Sequence, residues 1–189
     1  MELMARRGLV VAVLLIGVTA CSTSPAAVTP SPQAAQASVL PDPELGARFP
    51  ANVGGEPFPV ETYRNETALR AMGVDNAFLD SLNAEIADVS VALGHRPMET
   101  ETSTHLSAYA YRVVGASESD LAEYFVPIIE EQTEDAQFVR GTVGTKEVWR
   151  PVGPSASVAG NLLYVHGDTA YLLYGNEPVE VELLLEALP

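Results

Sequence analysis

The sequence predicts an α+β domain: a mostly antiparallel sheet with helices packed on one face, in two layers. Three observations carry this. Val89, Val91 and Leu93 alternate with Ser90 and Ala92, the period of a strand whose two faces differ. Residues 162–166 and 169–174 are two apolar runs around Gly167-Asp168, a two-residue loop that turns one strand directly back on the next. Leu121, Tyr124, Phe125, Ile128 and Ile129 recur at i, i+3, i+4, i+7 and i+8, the stripe of an amphipathic helix. Short strands joined by tight turns, with a few helices between them, build an antiparallel sheet rather than a parallel one.

Taken in order, residues 57–63 predict a first strand, which Pro57 and Pro59 confine to a sheet edge. Asp75 is placed to cap a helix that presents Phe78, Leu79, Leu82 and Ile86 on one side. The alternating strand from Val89 follows, then an exposed loop over 95–102 and a second strand over 104–114. Ser117 with Asp120 three residues on resembles a capping box, Asp standing for the usual Glu or Gln. Within the helix it opens, Pro127 removes a backbone donor and is expected to kink or end the regular part. Residues 138–143 and 146–152 predict a hairpin around Gly144-Thr145. In the second hairpin, Gly at the first loop position suits a type II′ turn. That register sets Tyr164 against Tyr171 and Leu163 against Leu172, with both faces apolar, so this hairpin belongs at the sheet centre. Asn176 is expected to cap a last helix with Val179, Leu183, Leu184 and Leu188 inward.

The N-terminus has a different grammar. Arg6-Arg7 precede an apolar run over 9–18, and Val18-Thr19-Ala20-Cys21 closes it. A charged segment, a short apolar run and small residues before the cut describe an export signal. The run is about half the ~20 apolar residues that a membrane-spanning helix needs. The single cysteine directly behind the small residues resembles the lipobox of bacterial lipoproteins. The resemblance implies that residues 1–20 are a signal peptide and that Cys21 is lipidated: its thiol takes a diacylglyceryl group, cleavage falls before it, and the new N-terminus is acylated, as with palmitate. Each buried methylene contributes about 0.8 kcal/mol, so several chains on one residue hold a protein to a bilayer without a basic patch. Residues 21–44 then read as the lipidated cysteine and a Pro/Ala/Ser tether, with prolines at 25, 30, 32, 41 and 43. About 20 residues at roughly 3.1 Å each reach ~60 Å when extended. Residues 45–189 are the size of one domain.

A second resemblance lies in the folded part. Tyr164-Val165-His166-Gly167-Asp168, the apolar strand after it, and the acidic helix ending Leu185-Glu186-Ala187-Leu188-Pro189 resemble a pattern recurring in uncharacterised bacterial lipoproteins. Phe49-Pro50-Ala51-Asn52-Val53-Gly54-Gly55 is similar to the start of their folded part. These motifs are structural turns, so the resemblance implies a location and no activity.

Composition narrows the partners. The chain has 25 acidic and 10 basic residues, a formal net charge of −15, and removal of Glu2, Arg6 and Arg7 makes the mature chain one unit more negative. Nucleic acid, whose binding depends on Lys and Arg, is not an expected partner. With its one cysteine lipidated the protein forms no disulfide, and 47% hydrophobic residues supply the core. No phosphate-cradling glycine motif and no Gly-x-Ser-x-Gly elbow occurs. His95, His105 and His166 lie apart in sequence with no ligand at helical spacing, so no metal site is expected. His166 beside Asp168 reads as turn chemistry, and the acidic groups Glu99/Glu101 and Glu130, Glu131, Glu134, Asp135 lack the spacing of a calcium loop. Tyr109 and Tyr111 share a strand face and, with Trp149, form a candidate recognition surface for a sugar, a peptide or a protein.

The expected protein is thus a lipid-anchored envelope lipoprotein on the extracytoplasmic face of the cell membrane. Ser22 after the cysteine, under the usual sorting of lipoproteins, directs it to the outer membrane where the cell has one. Its expected role is non-enzymatic binding of a protein partner or small ligand, with no cofactor and no catalytic residues. The alternative is a carboxylate-based envelope hydrolase of wall polymers, which requires two carboxyls about 5–9 Å apart in a cleft.

Overall fold

A computed structural model describes residues 40–73, 76–96, 105–132, 136–153 and 161–189. Cys21, Asp75, Glu99, Glu101, Glu134 and Asp135, and with them the lipidation, the Asp75 cap and most of the expected 95–102 loop, lie outside the described residues.

The fold is α+β, built on a seven-stranded antiparallel sheet with a separate two-stranded ribbon. In chain order the elements are α1 (Pro43–Gly46), β1 (Asn52–Val53), β2 (Glu56–Pro57), β3 (Val60–Arg64), α2 (Asn65–Met72), α3 (Asn76–Ser81), β4 (Val89–Arg96), β5 (Leu106–Val113), α4 (Glu118–Gln132), β6 (Gln137–Val143), β7 (Lys146–Val152), β8 (Leu162–His166), β9 (Thr169–Gly175) and α5 (Pro178–Ala187). The order across the sheet is β3-β4-β5-β9-β8-β7-β6. Two meanders, β3–β5 and β6–β9, therefore join at β5 and β9, and α4 carries the chain from the middle of the sheet to its far edge.

The strands obey the sequence closely because their signals are local. β7 spans the expected residues, and the β8–β9 hairpin pairs Tyr164 with Tyr171 and Leu163 with Leu172. Gly167 has φ +58 while Asp168 is not in the left-handed region, as a type II′ turn requires. β3 is an edge strand, beginning at Val60 because Pro57 belongs to the small ribbon. His95 and Arg96, expected in a loop, instead complete β4, where they pair with Ser107 and Leu106.

The helices differ more. They occupy both faces of the sheet rather than one. Leu106, Ala108, Ala110, Tyr171 and Leu173 pack under α1, α5 and the segment carrying Phe49, Val53 and Phe58. Val89, Val91, Val113, Leu163 and Leu172 pack under α2, α3 and α4. The central strands are apolar on both parities, so each face needs a cover. The fold also begins earlier than expected: Asp42 is only 1% exposed and caps α1, its Oδ1 accepting from the Glu44 and Leu45 amides at 3.1 Å each.

α2 has no side-chain cap at Arg64, so no start signal marked it. α3 stops after Ser81, whose hydroxyl donates to the Phe78 carbonyl, and Asn83 then turns left-handed at φ +49. Ile86 is consequently exposed, in a short 3₁₀ turn (Ile86–Asp88). α4 runs on through Pro127 to Gln132; its Ser117–Asp120 box forms reciprocally, Asp120 N–H donating to Ser117 Oγ and Ser117 N–H to Asp120 Oδ2. α5 buries Val181, Leu184, Leu185 and Leu188, while Val179 (65% exposed) and Leu183 (41%) face outward. Glu177, not Asn176, is its N-cap residue; the Asn176 Oδ1 accepts from the His105 amide at the start of β5. No helix among the described residues is long and apolar enough to cross a membrane.

Candidate functional site: an aromatic cleft beneath α4

Side chains 107, 109 and 111 of β5 point to one face, and the pairing of Ser107 with Tyr174 brings the phenol from β9 alongside them. α4 crosses above, stacking Phe125 on Tyr111 with centroids 4.8 Å apart and an interplanar angle of 27°. Met72 of α2 and Ile128 of α4 supply apolar walls, and His105 with Ser107 the polar end. The space left between sheet and helix is a cleft of about 440 Å³, within the range of small-molecule sites.

Tyr109 and Tyr174 meet edge to face at 5.7 Å and 84°. Tyr109 is 37% exposed, a large aromatic ring left open at the cleft. The hydroxyls of Tyr109, Tyr111 and Tyr174 make no hydrogen bond among the described residues. Burial pushes the Tyr174 phenol up to about 12, with Tyr109 adding to it. Burial likewise raises Tyr111, with Tyr174 and Tyr109 as smaller contributors. Both rings therefore stay neutral at ordinary pH and offer an O–H donor and an oxygen acceptor. No Asp or Glu is among the described residues that line the cleft.

The sequence-predicted surface is thus partly assembled. Tyr109 and Tyr111 share the cleft; Trp149 lies elsewhere, with the Arg140 guanidinium 4.9 Å above its ring centroid. That second groove, about 380 Å³, runs past the start of α4 and includes Glu118 and Glu147 beside Trp149. Tyr174 was not singled out in the sequence because only the β5–β9 pairing sets it beside Tyr109.

His166 and Asp168 part company. The His166 ring stacks at 10° on Tyr164, and its Nδ1 lies 3.8 Å from Glu118 Oε1. Asp168 instead accepts from Arg48 Nη1 at 3.1 Å, Arg112 Nε at 2.9 Å and Thr169 Oγ1 at 2.9 Å. Burial by itself raises its carboxyl, but these three donors, Arg112 foremost, hold it below the usual carboxylate range. Glu130 spends its carboxylate on the Phe138 amide, 2.7 Å away, tying the end of α4 to β6.

In comparisons with protein-family models, curated proteins and solved structures, nothing matched the chain.

Proposed function

We propose that this chain is a lipid-anchored envelope domain that binds a small ligand in the cleft beneath α4 and does no chemistry on it. The observation that carries the reading is one open cleft of about 440 Å³ in which the rings of Tyr109, Tyr111 and Tyr174 gather between apolar walls. Aromatic rings with hydroxyls at their edge suit a ligand that bears oxygens or amides on a flat or ring-shaped body, which stacks on Tyr109 and exchanges hydrogen bonds with the phenols. A sugar ring or a small peptide has that chemistry. The anchor rests on Cys21 and the signal segment before it, and the charge of −15 supports an uncharged or cationic ligand over an anionic polymer.

Two experiments test this. Labelled palmitate fed to cells is expected in the wild-type protein and absent from Cys21→Ser; labelling of both removes the anchor. Thermal unfolding of the full chain against a panel of monosaccharides, wall-derived muropeptides and short peptides is expected to show at least one ligand raising Tm. Stabilisation of about 2.7 kcal/mol is expected at a hundredfold excess over Kd, and it is lost in Tyr174→Ala. A shift retained in that variant contradicts binding in the cleft.

The groove holding Glu118, Glu147 and Trp149 supports a second reading, a carboxylate hydrolase of wall polymers. Release of soluble fragments from purified cell wall, abolished by Glu118→Gln or Glu147→Gln, decides for it; no release decides against it.

A further inference from the structure

The β4–β5 pairing does one thing that no spacing in the sequence announces. His95 lies directly opposite Ser107, and His105 is two residues before Ser107 on the same strand face. As a result His95 Nδ1 is 3.1 Å and His105 Nε2 3.2 Å from the single oxygen of Ser107, with ring centroids 5.4 Å apart. Ser107 is buried, and both it and His105 line the polar end of the cleft. A hydroxyl has one proton, so Ser107 donates to one imidazole nitrogen while accepting from the other. Two ring nitrogens from adjacent strands are thus each held at hydrogen-bond distance from the same Ser107 oxygen.

We infer that His95, His105 and the Ser107 hydroxyl form a binding site for a divalent transition-metal ion of the imidazole-preferring class, Cu²⁺ or Zn²⁺. Imidazole nitrogen is a good donor for both ions. Among the described residues no group of three or more His, Cys, Asp and Glu gathers around a common point. The described residues therefore supply two strong donors and one weak one, and water or a donor atom of a molecule in the cleft adds to them. Such a site is open and exchangeable, unlike a closed structural zinc site. A nucleophilic role for Ser107 fits less well. Among the described residues no carboxylate contacts either imidazole in the orienting role that activated serines use.

The test uses the full chain carrying Cys21→Ser, which removes the competing thiol, and the ions alone as probes. Calorimetric titration with Cu²⁺ and with Zn²⁺ is expected to give one ion per chain. His95→Gln and His105→Gln are each expected to weaken binding roughly tenfold or more, with far-UV circular dichroism showing the fold intact. Electron paramagnetic resonance of the Cu²⁺ form is expected to show superhyperfine coupling to two imidazole nitrogens, reduced to one in either variant. The inference is overturned if both variants bind like the parent, if one imidazole alone couples, or if His166→Gln is the change that removes binding. Because the ion is the probe, the result stands whether or not the cleft takes an organic ligand.

Discussion

Asp42 shows how one side chain ties the first helix to the sheet. It is nearly inaccessible, yet its carboxylate caps α1, pairs with Arg64 at 2.9 Å, and lies 3.6 Å from Arg112. Burial pushes its carboxyl up; hydrogen bonds from Arg64, Ser90 and the Leu45 amide outweigh that and hold it at about 2. The folded-state value is below the unfolded one, so the group contributes stability above about pH 4 that disappears as pH falls through about 2. A shift of nearly two units corresponds to roughly 2 kcal/mol. Urea unfolding of Asp42→Asn is expected to show a destabilisation of about that size at pH 7, shrinking toward zero by pH 2 as the parent loses its own contribution. A constant difference across that range contradicts the account. Gly94 makes the steric counterpart. A Cβ there meets the Phe58 ring, which closes that end of the core. Gly94→Ala is therefore expected to cost about 1–3 kcal/mol in chemical denaturation despite its negative φ.

At the level of elements, legibility follows how local the signal is. The β6–β7 and β8–β9 hairpins were readable because alternation and a two-residue glycine turn fix register within a dozen residues. α4 was readable from its cap and stripe, and Pro127 proved tolerable inside it. α2 carries no capping side chain, and eight residues offer too short a period to stand out. α5 was found but rotated. Its run holds Val179, Val181, Leu183, Leu184, Leu185 and Leu188, so two different faces are apolar, and only the positions of β9 and the β1–β2 ribbon select one. The rotation is measurable. Leu185→Ala is expected to cost about 2–5 kcal/mol, and Leu183→Ala within ~0.5 kcal/mol; the reverse order restores the face read from the sequence. Lys146 holds the far end of this helix, its Nζ donating to the Leu185 and Leu188 carbonyls at 2.9 and 2.5 Å. Lys146→Met is expected to lower stability by about 1 kcal/mol in the same assay.

Across the whole molecule, the sheet is a joint between two meanders, and the candidate sites lie where the join brings distant segments together. The cleft needs β5 beside β9 and α4 above both; the imidazole pair needs β4 beside β5. Tyr109 and Tyr111 were legible as a shared face because strand parity is local. Tyr174, His95 and His105 were not, since their proximity is created by pairing that sequence spacing does not encode. The two-faced cover follows from the same centre: strands apolar on both sides cannot leave either to solvent. In the proposed function, an exported, lipid-anchored domain uses this cleft to hold a small ligand. Native mass spectrometry of the full-length protein, extracted in mild detergent from its own membranes, tests it most directly. A small-molecule adduct is expected on the wild-type chain and is expected to be missing from Tyr109→Ala/Tyr174→Ala. A bare wild-type chain, or the same adduct on the double variant, contradicts it.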